Sequence, residues 1–165
     1  MMSKKKFMIR VFILLWINGW SIFPVWSNAN IFFKVTVLSS PSCIINGNHP
    51  IVINFGKEVM TTRVDGKNYR EAVNYSLTCE RPSSLSMRML IQGAVADFDS
   101  SALRTSMPSL GVIFFADGNK WPINTMSGFN YYTPPRIEAV LVKEKDKELH
   151  AGEFTAAATL EVFYQ

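Results

Sequence analysis

Apolar and polar residues alternate most regularly at the C-terminal end of the chain. Phe154, Ala156, Ala158, Leu160, Val162 and Tyr164 share one parity, and Glu153, Thr155, Ala157, Thr159, Glu161, Phe163 and Gln165 share the other. A period of two predicts a β-strand with one buried and one mostly exposed face. Gly152 opens the run and Gln165, the last residue, ends it. A looser alternation lies at the other end, with Ile31, Phe33, Val35 and Val37 on one face and Phe32, Lys34, Thr36 and Leu38 on the other. Two readings of this second segment stay open on pattern alone. It is the first strand of its own sandwich, or it is an extension that pairs with another molecule by strand addition.

Between these ends the pattern predicts further short strands. Ile51–Phe55 is stopped by Gly56, and Ala72–Cys79 ends before Arg81-Pro82. Leu85, Met87, Met89 and Ile91 alternate with polar neighbours up to Gly93. Gly111–Phe115 runs into Asp117-Gly118-Asn119, a hairpin signal, and another strand begins at Ile137. No segment sustains a 3.6-residue period, and Lys143–Leu149 reads as a solvated loop or hairpin tip. Seven or eight short strands separated by Gly, Pro, Asn and Asp predict an all-β sandwich without repeats or an interior linker.

Charge changes where this sandwich must work. The 165 residues carry a net charge of +4, from 17 Lys+Arg against 13 Asp+Glu. Lys4, Lys5, Lys6 and Arg10 supply the whole excess, so residues 30–165 balance at 13 against 13. A balanced chain offers no electrostatic footprint for nucleic acid. The basic residues precede the apolar stretch Val11–Ile17, which continues with breaks to Trp26, and Ser27-Asn28-Ala29 places small residues at a cleavage site. Residues 1–29 therefore read as a cleaved secretory signal peptide, the unbroken apolar run being far short of the ~20 residues a bilayer requires. Cys43 and Cys79 then enter an oxidising compartment, where pairing is the default and metal binding lacks ligands.

Catalytic chemistry is not apparent. The chain has no nucleophile elbow, phosphate loop or H-E-x-x-H. His49 and His150 sit in polar surroundings and read as surface residues. Asp97 and Asp99 flank Phe98 in what reads as a solvated loop, with cation binding the sharper alternative. Trp121, Phe129, Tyr131 and Tyr132 read as core and edge packing, with a sugar-stacking surface as the alternative. No enzyme activity, cofactor or metal is expected.

In combination these features resemble the minor subunits of chaperone–usher pili, the adaptor and tip pilins of P and type 1 fimbriae. The resemblance rests on the signal peptide, the apolar N-terminal segment, and the cysteine in P-S-C-I-I-N-G (Pro41–Gly47). It continues through I-V-I-N-F-G (Ile51–Gly56), the second cysteine closing N-Y-S-L-T-C (Asn74–Cys79), and Leu110–Phe114. It ends in Ala151–Gln165, with a glycine fourteenth from the end and a penultimate tyrosine. Order and spacing carry it rather than any single motif.

The resemblance implies an incomplete immunoglobulin-like β-sandwich completed by a donor strand from another subunit. It implies a layout of signal peptide at 1–29, donor-strand extension and linker at 30–42, and pilin domain at 43–165. Ile31, Phe33, Val35 and Val37 would fill a neighbour's groove. Gly152, Phe154, Ala156, Ala158, Leu160, Val162, Tyr164 and Gln165 would form the strand at the groove edge, paired first with a periplasmic chaperone that holds the C-terminal carboxylate. Transfer to neighbouring subunits would take place at the outer-membrane usher, on the way to a surface fimbria involved in adhesion. One departure stands out: many such extensions carry a glycine, and the family spacing places it near Thr36, on the face opposite the apolar one. Hydrophobicity and cysteine spacing thus disagree by one residue of register, and a one-residue slip exchanges the faces. The reading from a different class is a self-contained secreted immunoglobulin-like domain that recognises a glycan or receptor.

Overall fold

A computed structural model of the chain describes residues 42–80 and 84–165. Eleven strands occur among these residues: β1 (Cys43–Ile45), β2 (Arg70–Val73), β3 (Leu77–Cys79), β4 (Ser86–Gly93), β5 (Val95–Ala96), β6 (Asp99–Arg104), β7 (Leu110–Ala116), β8 (Asn119–Trp121), β9 (Met126–Asn130), β10 (Ile137–Lys143) and β11 (Ala158–Tyr164). Helix is confined to two single 3-10 turns, Asn46–Asn48 and Thr61–Arg63. One sheet has the order β2-β10-β7-β6-β5, with β8 paired to β7. A second has the order β11-β4-β9, and β1 pairs with β3. Every ladder between these strands is antiparallel. The described chain is all-β, built from antiparallel sheets.

The alternation of β4 produces the core directly. Met87, Met89 and Ile91 are buried, with Met87 and Met89 at 0% exposure, while Arg88 and Gln92 face out. Across from them lie Leu110, Val112 and Phe114 of β7 and Ile137, Ala139 and Leu141 of β10. The intervening residues of these two strands are also covered. Ile113 and Val140 join Ala96 and Ala102 in a second cluster, flanked by Phe98, Phe115 and Val142. Over this outer face the Arg70 guanidinium stacks on the Phe115 ring, 4.4 Å from its centroid, and pairs with Glu138 at 2.8 Å. Burial on both faces explains why Leu110–Phe115 reads as a continuous apolar run instead of an alternation.

The hairpin signal at Asp117-Gly118 marks the β7–β8 turn, with both residues at positive φ (48° and 81°), as the tightest hairpin turns require. Three expectations need correction. Ala72–Cys79 is two strands, because the chain leaves β10 after Val73 and joins β1 at Leu77. Asp97 and Phe98 are a two-residue turn, and Asp99 belongs to β6 rather than to a loop. Ile51–Phe55 has the burial rhythm of a strand but makes no ladder. The 31–37 segment and the signal peptide lie outside the described residues.

Candidate functional site: an open sheet edge

The missing ladder at residues 51–55 and the position of β11 are two sides of one feature. β11 pairs with β4 through seven rungs, from Ala158↔Gly93 to Tyr164↔Met87. It ends the order of its sheet, so its other edge has no neighbour among the described strands. Ile51, Ile53 and Phe55 are half-buried while Val52 is 84% exposed, an alternation normally held by pairing on both sides. Ile53, Phe55, Val59, Phe154, Leu160 and Val162 all pack against the main core without full burial. The Phe55 and Phe154 rings come together with centroids 6.2 Å apart. Met87 and Met89, on the strand next to β11, are fully buried. The difference has a simple cause: a side chain pointing at the core stays open laterally when its strand has no neighbour. An unpaired edge beside half-covered apolar side chains can bond and bury one further extended apolar segment, and left open it invites aggregation.

The predicted groove-edge residues do not behave alike. Leu160, Val162 and Tyr164 are half-buried on β11, whereas Ala156 and Ala158 are exposed. The ladder begins at Ala158, later than the alternation predicts. Residues 153–157 lie outside it, because Thr155 instead bonds Ser106, accepting from its amide at 2.8 Å and donating to its hydroxyl at 2.9 Å. Phe154 is half-buried against Phe55, and Gly152 lies exposed before it. Gln165 is held at the far end, its amide donating to Ser86 O at 3.1 Å and its side-chain oxygen accepting from the Ser86 hydroxyl at 2.8 Å.

The disulfide lies at that same end. Cys43 and Cys79 face each other across a rung of the β1–β3 ladder and are bonded. The Tyr164 hydroxyl, 3.1 Å from Cys43 Sγ, donates to it, and the Tyr131 hydroxyl accepts from the Cys79 amide at 3.4 Å. Partial burial, followed by the neighbouring Tyr131, pushes the Tyr164 phenol above its ordinary range. The penultimate tyrosine therefore ties the last strand to the disulfide-bonded pair.

The other residues singled out by sequence do not form a site. His49 and His150 are exposed. Asp97 pairs with Arg104. Burial raises the Asp99 carboxyl, but its Ser101 bonds and the Lys120 ammonium outweigh this and hold it low. Trp121 is buried, its indole donating to Thr125 O at 2.8 Å, so only Tyr132 of the aromatic set is open to solvent, at 72%. Sequence reasoning missed Ile53 and Phe55 as groove residues, although the I-V-I-N-F alternation carried the signal. Ile31, Phe33, Val35 and Val37 lie outside the described residues.

Three kinds of likeness bear on this geometry. The family profile described as Fimbrial protein matches residues 31–165. The Escherichia coli (strain K12) fimbrial-like protein YfcQ is 32% identical over 145 residues, covering 84% of this chain and 89% of that protein. YfcR of the same organism, also described as fimbrial-like, is 31% identical over 141 residues, covering 82% and 81%. Among solved structures, the P pilus adaptor subunit PapF superposes with a TM-score of 0.58 at 19% identity, covering 77% of this chain and 98% of that one. The P pilus rod subunit PapA gives 0.57 at 18% identity, covering 82% and 100%.

Proposed function

The chain belongs to the fimbrial protein family, and from that membership we propose that it is a minor subunit, an adaptor or tip pilin, of a chaperone–usher fimbria that assembles by donor-strand exchange. It is a structural pilin subunit rather than a member of an enzyme class. In this role residues 1–29 direct export and are removed, residues 30–42 form the donor extension and linker, and residues 43–165 form the receiving domain. A periplasmic chaperone would occupy the open edge first, before neighbouring subunits replace it at the outer-membrane usher.

The observation that carries this reading is the open edge: β11 unpaired on one side, residues 51–59 without a ladder, and Ile53, Phe55, Leu160 and Val162 half-covered. The apolar face Ile31, Phe33, Val35 and Val37 has the form of the missing piece. Burying four such side chains contributes on the order of 6–12 kcal/mol before ordering costs. Chain length argues that the groove it fills belongs to another molecule. The Cys43–Tyr164 contact places the start of the domain beside the end of β11. An antiparallel partner for β11, the sense of every ladder among the described residues, would end near Ala158, about 20 Å back along the strand. The six Cα steps from Val37 to Cys43 reach about 20 Å only when fully extended. The minor position is supported by composition, with 5 Met and 9 Phe in residues 30–165.

Periplasmic expression tests the proposal. The subunit alone should be scarce and should copurify with the chaperone when both are present. Deleting residues 30–38 should leave the chaperone complex intact and abolish entry into fibres. A stable monomer that melts when 30–38 are removed would instead establish the self-contained domain.

A further inference from the structure

Seven large apolar side chains are exposed among the described residues: Ile44, Val52, Met60, Leu85, Met126, Tyr132 and Phe163. Scattered singly, such residues need no explanation. Four of them, however, gather at one end of the sandwich. Ile44 follows Cys43 on β1. Phe163 lies on the outer face of β11, next to the rung that joins Tyr164 to Met87. Leu85 accepts the Tyr131 amide through its carbonyl at 2.9 Å, and the Tyr131 and Tyr132 rings sit 5.5 Å apart. Tyr131 reaches Cys79, and Tyr164 reaches Cys43, so the disulfide is at the centre of the group. Tyr132 is 72% exposed and Leu85 is 42% exposed, amounts that leave much apolar area in water.

The chain outside the described residues says what would cover this end. Only Leu38–Ser42, five residues with Pro41 among them, separate the donor segment from Cys43. Once Val37 is seated in another subunit's groove, the mouth of that groove lies within about 20 Å of Cys43. In the donor-strand reading the chaperone also nears this end, at Gln165, but it leaves before the fibre forms. We propose that Tyr132 and Leu85, with Ile44 and Phe163 beside them, form a docking platform for the subunit that receives residues 31–37. This rests on the donor-strand reading and adds to it a second contact, outside the groove. The chemistry suits an apolar end loop of a neighbouring β-sandwich: an aromatic ring with a polar tip beside aliphatic groups, with exposed Arg88 opposite Phe163 as part of a polar rim. Its effect would be mechanical. A donor strand alone supplies one contact between consecutive subunits, whereas a donor strand plus a seated platform gives them one preferred angle.

The test uses the mature chain in three states: with its chaperone, joined to the neighbour that takes its N-terminal segment, and in the fibre. Hydroxyl-radical footprinting read by mass spectrometry should show Tyr132 modified at least about threefold more slowly in the joined pair and in the fibre than with the chaperone. Equal modification in all three states, or protection by the chaperone alone, overturns the platform. Tyr132→Ala combined with Leu85→Ala should still give the joined pair, because the groove and donor strand are untouched. It should broaden the distribution of subunit–subunit angles in electron micrographs, and an unchanged distribution overturns the proposal. Failure of the underlying donor-strand reading has its own signature: the joined pair would form undiminished after deletion of residues 31–37.

Discussion

Replacing both cysteines, Cys43→Ser with Cys79→Ser, tests how far the fold depends on the covalent tie beside its last strand. The bond joins residues separated by 36 positions. Closing a loop of that length lowers the entropy of the unfolded chain by an amount worth about 4 kcal/mol at 25 °C on the chain-entropy treatment. The folded state loses little in compensation. β1 and β3 share only three rungs, and the Cys43↔Cys79 rung is the outermost toward the chain's start. The Tyr164 hydroxyl also loses its sulfur acceptor, a weak bond worth at most about 1 kcal/mol. The sum, about 4–5 kcal/mol, is a large part of the 5–15 kcal/mol by which ordinary domains are stable. Urea unfolding followed by tryptophan fluorescence suits this chain, because Trp121 is the one tryptophan in residues 30–165 and is buried in the core. With a slope of about 2 kcal/mol per molar urea, the midpoint should fall by about 2 M. A fall of less than about 0.5 M at unchanged slope would refute the reasoning, since the unfolded chain would then gain no freedom from the loss of the bond.

Three further outcomes follow from the described geometry. Gly93→Ala would drive a Cβ into Leu103 Cδ1, a buried core methyl, and should cost about 1–3 kcal/mol in chemical denaturation, with part of the loss recovered in the Gly93→Ala/Leu103→Ala double variant. Leu160→Asp puts a charge on a half-buried groove position with no basic partner on the adjacent rungs. It should abolish fibre incorporation in pull-down assays, and normal incorporation would show that the open edge is not where the next strand binds. Burial, followed by the Asp117 carboxylate, pushes the Tyr75 phenol up to about 12. Its folded-state value is raised, so the stability it lends is complete below pH 10 and is lost as pH climbs from 10 to 12. Spectrophotometric titration should show a tyrosine ionising near pH 12 that vanishes in Tyr75→Phe.

The alternations were legible without coordinates because they are local. β4 buries the methionines and isoleucine its pattern marks, and the Asp117-Gly118 turn appears where the sequence calls for two residues at positive φ. Two misreadings have the same origin. Ile51–Phe55 has a strand's rhythm but no ladder, and Ala72–Cys79 looks continuous but changes partners at Asn74–Ser76. Rhythm records which face of a segment is apolar. It does not record whether another backbone lies alongside, since that backbone comes from far away in the chain or from another molecule.

Pattern and composition suffice for the all-β class, the cysteine pair, the charge excess within the first ten residues and the apolar alternation at both ends. These are consequences of composition and of a two-residue period, which need no knowledge of neighbours. It took the folded arrangement to show that β11 ends its sheet, that residues 51–59 make no ladder, and that Tyr164 and Tyr131 bring the disulfide to the end of the last strand. An open sheet edge is a relation among strands distant in sequence. No single segment contains it.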